Sequence, residues 1–372
     1  MIIRTIHLVS LNIPYPPDYG GMIDIYYKIK ALSEAGFHII LHAFKYNRDE
    51  RNELNSLCSE VHYYERKTGF IQNLSRLPYI VYSRRSEALI TNLLKDEYPV
   101  IFEGLHSCYH LRDPRLKNRV KVVRTHNIEH YYYRALARTV SNPLRKLYFY
   151  VEAMKLKKAQ ERLKFADCIA AISPQDMEYF QKRFQNVVLL NPFHSNTGLN
   201  SKTGKGSYLL YHANLSVYEN IHALEHLVKN VFNHIDFPII VAGKAPSQKV
   251  LELCSSGSQV TLVRDPGKEE MDRLIRDAQA IILYTEQATG IKLKLIDSLY
   301  MGRFCIVNPK MTEGTGLEKS CIVAEDPGEM VEMIKKILSS EFSEERISER
   351  SQLLKEFDVR LGVRQIESII YS

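Results

Sequence analysis

The sequence predicts an α/β protein of two doubly wound domains in tandem, each a parallel sheet with helices on both faces. Three observations carry the prediction. Short apolar, β-branched runs alternate with helix-period segments along almost the whole chain, the pattern of strand–helix–strand crossovers. The strand runs, such as "AIILYT" and "FCIVN", are apolar on both faces, as strands covered on both sides require. The alternation lapses once, in "NPFHSNTGLNSKTGKGS" (191–207), and then starts afresh. A chain of 372 residues is too long for one ordinary core, and this aperiodic stretch is where it divides.

In the first half, residues 3–11 read as a strand and "GGMIDIYYKIKALSEAG" (20–36) as a helix closed by Gly36. Strands follow at 38–44 and 61–64, a helix at 86–95, and strands at 100–106 and 120–126. A basic helical stretch spans about 144–165. A strand at 167–173, a helix after Pro174 and a strand at 187–190 complete this half. The second half reads as strands at 208–214, 238–243, 259–263, 280–285 and 304–308. Helices are expected at 220–233, 246–254, 268–277, 291–301 and 327–338. A charged helical segment (343–371) follows, and its Leu361, Ile366, Ile369 and Ile370 need a surface to cover.

Composition narrows the function classes. Apolar residues make up 45% and charged residues 25%, the profile of a soluble globular protein. No apolar run approaches the ~18 residues a bilayer span needs. The opening "MIIRTIHLVSL" is broken by Arg4 and His7 and reads as a buried strand, not a signal peptide. Six scattered cysteines form no Cys-x-x-Cys pair, so they read as buried thiols of a reducing cytoplasm. The net charge of +7 is uneven: residues 1–190 carry +10 and residues 191–372 carry −3. A basic surface attracts anionic membrane, an anionic substrate or nucleic acid. No nucleic-acid recognition module is present. The basic helix 144–164 is partly amphipathic, which suits a membrane surface as well as packing on its own sheet.

Two stretches look like ligand sites. "TGIKLKLIDSLYMG" (289–302) follows a strand. Thr289 and Gly290 lie where a helix N-terminus points beyond the sheet, and free helical N–H groups there suit a phosphate. Lys294 and Asp297, three apart, share a face. The lysine suits a phosphate and the carboxylate suits ribose hydroxyls. In the first half, Gly20 and Gly21 of "PYPPDYGGM" open a helix directly after the first strand, the place of a phosphate-approach loop. His126 and His130 are four apart, but no third ligand is in register and no Asp-x-Asp occurs. No metal is therefore expected.

The ordered set "PPDYGG", "RTHNIEH", "ERLKFADCIAAIS", "LLYHANLSVYENIHAL", "VAG" and "TGIKLKLIDSLYMGRFCIV" resembles the family 4 glycosyltransferases. That resemblance implies the GT-B architecture, two Rossmann-like domains with an interdomain cleft. It assigns residues 1–190 to an acceptor-binding domain and 191–356 to a nucleotide-sugar donor domain, with a crossover helix at about 357–372 returning to the first. It places Gly20 and Gly21 against the donor's phosphate and sugar. Thr289 and Gly290 fall beside the sugar and diphosphate, His106 beside the transferred sugar, and Asp297 on the ribose. Thr289 stands where the family's motif has its first glutamate. The family often has a basic pair at the start of the second domain, and this chain has Asn214, Glu219 and Asn220 there. Lys244, Lys292 and Lys294 are the expected sources of positive charge for the diphosphate.

The function so implied is retaining, metal-independent transfer of a sugar from a nucleotide-diphosphate sugar to a hydroxyl of a glycan or lipid-linked acceptor. It would serve cell-surface polysaccharide synthesis, in the cytoplasm or at the inner face of the membrane, with no cofactor besides the donor. The alternatives are a nucleotide-sugar 2-epimerase and a non-catalytic nucleotide-sugar or glycan-binding protein.

Overall fold

The computed structural model describes residues 4–255, 259–286 and 292–371. It divides into two compact units, 1–195 with 359–372, and 196–358. The first boundary falls five residues beyond the expected one. The reason is local: Leu190 and Phe193 are buried in the core of unit 1, and the Phe193 amide donates to Asp24 Oδ1 at 2.7 Å.

Among the described residues, unit 1 holds a seven-stranded sheet in the order β3-β2-β1-β4-β5-β6-β7. The strands are β1 (Arg4–Ser10), β2 (Phe37–Lys45), β3 (Glu60–Glu65), β4 (Val100–Glu103), β5 (Lys121–Arg124), β6 (Cys168–Ala171) and β7 (Val187–Leu189). All are parallel. Its helices are α1 (Gly20–Glu34), α2 (Tyr79–Tyr82), α3 (Glu87–Leu93), α4 (Glu129–Thr139), α5 (Pro143–Ala159) and α6 (Pro174–Gln181). Unit 2 holds a six-stranded parallel sheet in the order β10-β9-β8-β11-β12-β13. Its strands are β8 (Leu209–Asn214), β9 (Ile239–Lys244), β10 (Val260–Arg264), β11 (Ala280–Leu283), β12 (Phe304–Val307) and β13 (Ile322–Val323). Its helices are α7 (Tyr218–Asn230), α8 (Gln248–Ser255), α9 (Lys268–Asp277), α10 (Leu293–Met301), α11 (Pro309–Thr312), α12 (Pro327–Leu338) and α13 (Glu344–Leu353). The last helix, α14 (Val359–Tyr371), belongs to unit 1.

Both sheets are doubly wound, and both have the Rossmann-like order in which the chain starts centrally, winds outward, and returns to wind the other way. Local chemistry explains the elements. Helix α1 buries Met22, Ile25, Ile29 and Leu32, a stripe at helical spacing. Ser173 and Asn142 cap α6 and α5 with side-chain oxygens, and a proline fills the first position of each. On α14, Val363, Ile366 and Ile370 are buried in the same core as α1 and Ile369 packs against it, while Leu361, expected there too, is exposed.

Three expectations are corrected. The strands read at 100–106 and 120–126 end at Glu103 and Arg124, because the residues beyond them turn to build the site. The basic helix stops at Ala159 and tightens into a 3-10 segment, Gln160–Phe165. The two-residue β13 was not foreseen, being too short to show a period.

Candidate functional site

In each sheet the order reverses next to the first strand, between β1 and β4 and between β8 and β11. The helices following those strands leave on opposite sides, which opens a crevice beyond the carboxyl ends.

In unit 2 this place is built from the segments after β8 and β11. Asn308 holds the second one: its side chain accepts from the Thr285 amide at 3.1 Å and donates to the Thr285 carbonyl at 2.8 Å. Thr285 Oγ1 then donates to Glu219 Oε1 at 2.6 Å. Lys292 Nζ lies 3.9 Å from the same oxygen, and Lys294 Nζ donates to Asn220 Oδ1 at 3.1 Å. Two lysines and one carboxylate therefore meet at the start of α10, whose first turn no side chain caps. Burial, with Lys292 adding to it against the pull of Glu219, brings Lys294 down to about 8, and burial lowers Lys292 as well. A site that disfavours its own cations is one an incoming anion relieves.

His212 on β8 meets Ser298 Oγ at 2.9 Å, and Ser298 Oγ donates back to the Lys294 carbonyl at 2.7 Å. Burial holds His212 at about 3, so it is neutral and acts as a fixed strut between β8 and α10. Lys294 Nζ also sits 5.9 Å above the Tyr211 ring. In the sequence this strut shows only as a histidine inside an apolar strand.

The residues expected here are partly assembled. Lys292 and Lys294 come together. Asp297 turns elsewhere: its Oδ1 accepts from Asn196 at 2.8 Å. Burial raises its carboxyl to about 6, against that hydrogen bond. Lys294 and Asp297 thus share a helix but serve different partners. Lys244 ends β9, in register with Asn214 of β8, and is exposed. Thr289 and Gly290 lie outside the described residues.

In unit 1, Gly20 and Gly21 are the first residues of α1, which has no side-chain cap. A Cβ added at Gly20 meets nothing within 4 Å, and one at Gly21 only the Tyr19 ring at 4.0 Å. Packing within the unit does not demand either glycine, and the space before the helix is open to a ligand.

One turn further along α1, Asp24 enters a buried ionic network. Lys28 Nζ donates to Glu103 Oε1 at 2.7 Å and to Asp24 Oδ2 at 3.3 Å. Arg124 Nε and Nη2 reach the two Asp24 oxygens, each at 3.3 Å. His126 lies 3.0 Å from Glu103 and 3.7 Å from Asp24. Burial pushes both carboxyls up, yet the facing cations hold Asp24 well below the usual carboxylate range, and Lys28 with His126 holds Glu103 below it. The ligand atoms of Asp24, Glu103 and His126 lie within 4.8 Å of one another. The donor set nevertheless does not suit a metal ion, because Lys28 and Arg124 already neutralise both carboxylates.

His106 follows β4 in a 3-10 turn, Leu105–Ser107, not in the strand. Its Nδ1 is 3.8 Å from Glu129 Oε1 on α4. Burial, with Arg84 and His126 nearby, holds it well below the usual imidazole value. The turn depends on Gly104, with φ of +69°. A Cβ there would lie 3.0 Å from His106 Nδ1 and 3.4 Å from His126 Cδ2, so only glycine lets the two rings approach. His130, by contrast, is buried beside Tyr179 and Tyr131.

Residues 206–340 match the family model described as "Glycosyl transferases group 1". Over 344 residues, 86% of this chain and 87% of the relative, the sequence is 25% identical to an uncharacterized 44.6 kDa protein in the cps region of Klebsiella pneumoniae. Among solved structures, HepE from Anabaena in complex with UDP and glucose aligns with a TM-score of 0.65 at 11% identity, covering 98% of each chain. The UDP-forming α,α-trehalose-phosphate synthase from Burkholderia xenovorans, in complex with glucose-6-phosphate, gives 0.64 at 9% identity, over 99% of this chain and 100% of that one. A glycosyltransferase from Rickettsia africae gives 0.62 at 13%, over 100% and 98%. At these identities the structural likenesses establish the fold. The chain therefore has the two-domain Rossmann-like fold of these neighbours, and its second unit carries the glycosyl transferases group 1 match.

Proposed function

We propose that the protein is a retaining glycosyltransferase. It moves a sugar from a nucleotide-diphosphate donor to a hydroxyl of a glycan or lipid-linked acceptor in cell-surface polysaccharide synthesis. The observation that carries the reading is the convergence of Lys292 and Lys294 at the uncapped start of α10, against Glu219 and Asn220. The family match over unit 2 and the cps-region relative support it.

The donor's diphosphate binds at the two lysines and the first amides of α10. The bond from the anomeric carbon to the phosphate oxygen breaks, and its electron pair stays on that oxygen. Lysines and helix amides, already oriented, stabilise the charge that grows there. The acceptor hydroxyl attacks from the same face, which retains configuration, and its proton passes to the departing phosphate. No step calls on a metal. In a thermal-shift screen of UDP-, GDP-, ADP- and dTDP-sugars, one nucleotide class should raise the melting temperature, and a chain indifferent to all four would end the proposal.

The acceptor reading extends to an anionic membrane surface. In unit 1 the turn Phe70–Leu74 leaves Phe70, Ile71 and Leu74 at 78%, 75% and 73% exposure. The start of α5 adds exposed Leu144 and Leu147 beside Arg145 and Lys146. Lys155 of α5 donates to the Asn73 carbonyl at 2.8 Å, tying the turn to that helix. Apolar tips among cations match an anionic lipid surface. The full chain should float with phosphatidylglycerol vesicles at low salt. Replacing Phe70, Ile71 and Leu74 together by serine should leave it at the bottom of the gradient. Equal flotation of the two proteins refutes this part.

A further inference from the structure

Of the buried polar atoms in unit 1 that find no hydrogen-bond partner among the described residues, four are His106 Nδ1, Thr125 Oγ1, Glu129 Oε1 and Asp176 Oδ2. They belong to the segments that follow β4, β5 and β6, at the carboxyl end of one sheet. Thr125, Glu129 and Asp176 are 3%, 5% and 4% exposed. The 3.8 Å between His106 Nδ1 and Glu129 Oε1 is too long for a hydrogen bond. Each such group is left with its desolvation uncompensated, and folds leave few of them. Four at one end of a sheet ask for a ligand that offers several donors and acceptors.

The charges say which kind. Glu129 faces Asp176 of α6, His106 of the turn after β4, Arg84 beside α2, and Tyr133 on its own helix. Burial, reinforced by Asp176 and opposed by Arg84, brings Glu129 up to about 8. Burial likewise brings Asp176 to about 6. A protonated carboxyl both donates and accepts, as a hydroxyl does. A metal ion would want both carboxyls ionised, and an anionic group would meet the second carboxyl.

We propose that Glu129, Asp176, His106 and Thr125 form a binding pocket for the hydroxyls of a neutral sugar. Glu129 donates to one ring hydroxyl through its carboxyl proton, and His106 Nδ1 bonds a neighbouring one. The proposal deepens the transfer reading and rests on it: the pocketed sugar is the acceptor.

Saturation-transfer NMR on the full chain tests this with the methyl α-glycosides of glucose, mannose and galactose. At pH 7, wild type and Glu129→Gln should both show transfer to at least one glycoside. Glu129→Ala and His106→Ala should show it reduced at least five-fold. Raising the pH to 9.5 should abolish transfer in wild type but not in Glu129→Gln. Should Glu129→Ala fail to fold, the partly exposed His106 carries the test through His106→Ala. Transfer to none of the glycosides, or undiminished transfer in the folded alanine variants, overturns the pocket. Thermal shifts with nucleotide sugars, run on the same samples, separate the two failures. A lost pocket with intact nucleotide shifts sinks only this inference, whereas absent nucleotide shifts in wild type sink the transfer reading.

Discussion

Replacing Lys294 with alanine is expected to slow donor turnover, measured as release of nucleotide diphosphate, by on the order of 10²–10³-fold. The effect is large because Lys292, the other cation described there, faces Glu219 and leaves the place beside Asn220 without a charge. Lys294 is aimed by three fixed groups: Asn220, the Tyr211 ring and, through Ser298, the neutral His212. A cation held this way needs no rearrangement as charge develops on the leaving oxygen. Its lowered value of about 8 adds a signature. In the free protein the ammonium loses its proton as pH rises through about 8, so affinity for the anionic donor falls above that pH. Calorimetric titration from pH 6.5 to 9.5 should show the fall in wild type and not in Lys294→Met. Unchanged turnover in the alanine variant would remove Lys294 from the reaction.

Lys28→Met is expected to destabilise unit 1 by about 3–5 kcal/mol, the usual cost of stripping one partner from a buried ion network. Lys28, Glu103 and Arg124 are fully buried and Asp24 nearly so. Without Lys28, only Arg124 and His126 are left to face the two buried carboxylates. Both carboxyls have folded values below their unfolded ones. Their contribution is therefore complete above the unfolded values of about 4. It is lost as pH falls through the depressed folded ones. Urea unfolding followed by tyrosine fluorescence at pH 7 should show the loss. The gap between variant and wild type should narrow as pH is lowered toward 3. A midpoint equal to wild type at pH 7 contradicts the account.

The strand–helix alternation was legible because parallel strands covered on both faces must be apolar throughout, and helix periods fill the intervals. "AIILYT" and "FCIVN" announced β11 and β12. The lysines of "IKLKLID" announced the charge at α10. The ionic network of unit 1 was not legible. Its members are spread from Asp24 to His126, and only the strand order makes them neighbours. Glu103 and Arg124 each end an apolar run, a cue that a charge sits at a sheet's carboxyl edge. Glu129 gave less warning: in "THNIEH" it looks like an ordinary first-turn acid. Its meaning comes from burial beside Asp176, a residue 47 positions later. Spacing puts Asp297 on the face of Lys294, since a separation of three sets a helix face. Its true partner, Asn196, comes from the segment read as a linker.

The packing of α14 beside α1 has a consequence for synthesis. Every residue of unit 2 is contiguous, so that unit can complete itself while the ribosome is still translating. Unit 1 cannot: Val363, Ile366 and Ile370, which close its core, emerge only after the whole of unit 2. The first half of the polypeptide must wait, with an apolar side open, until the second has been made.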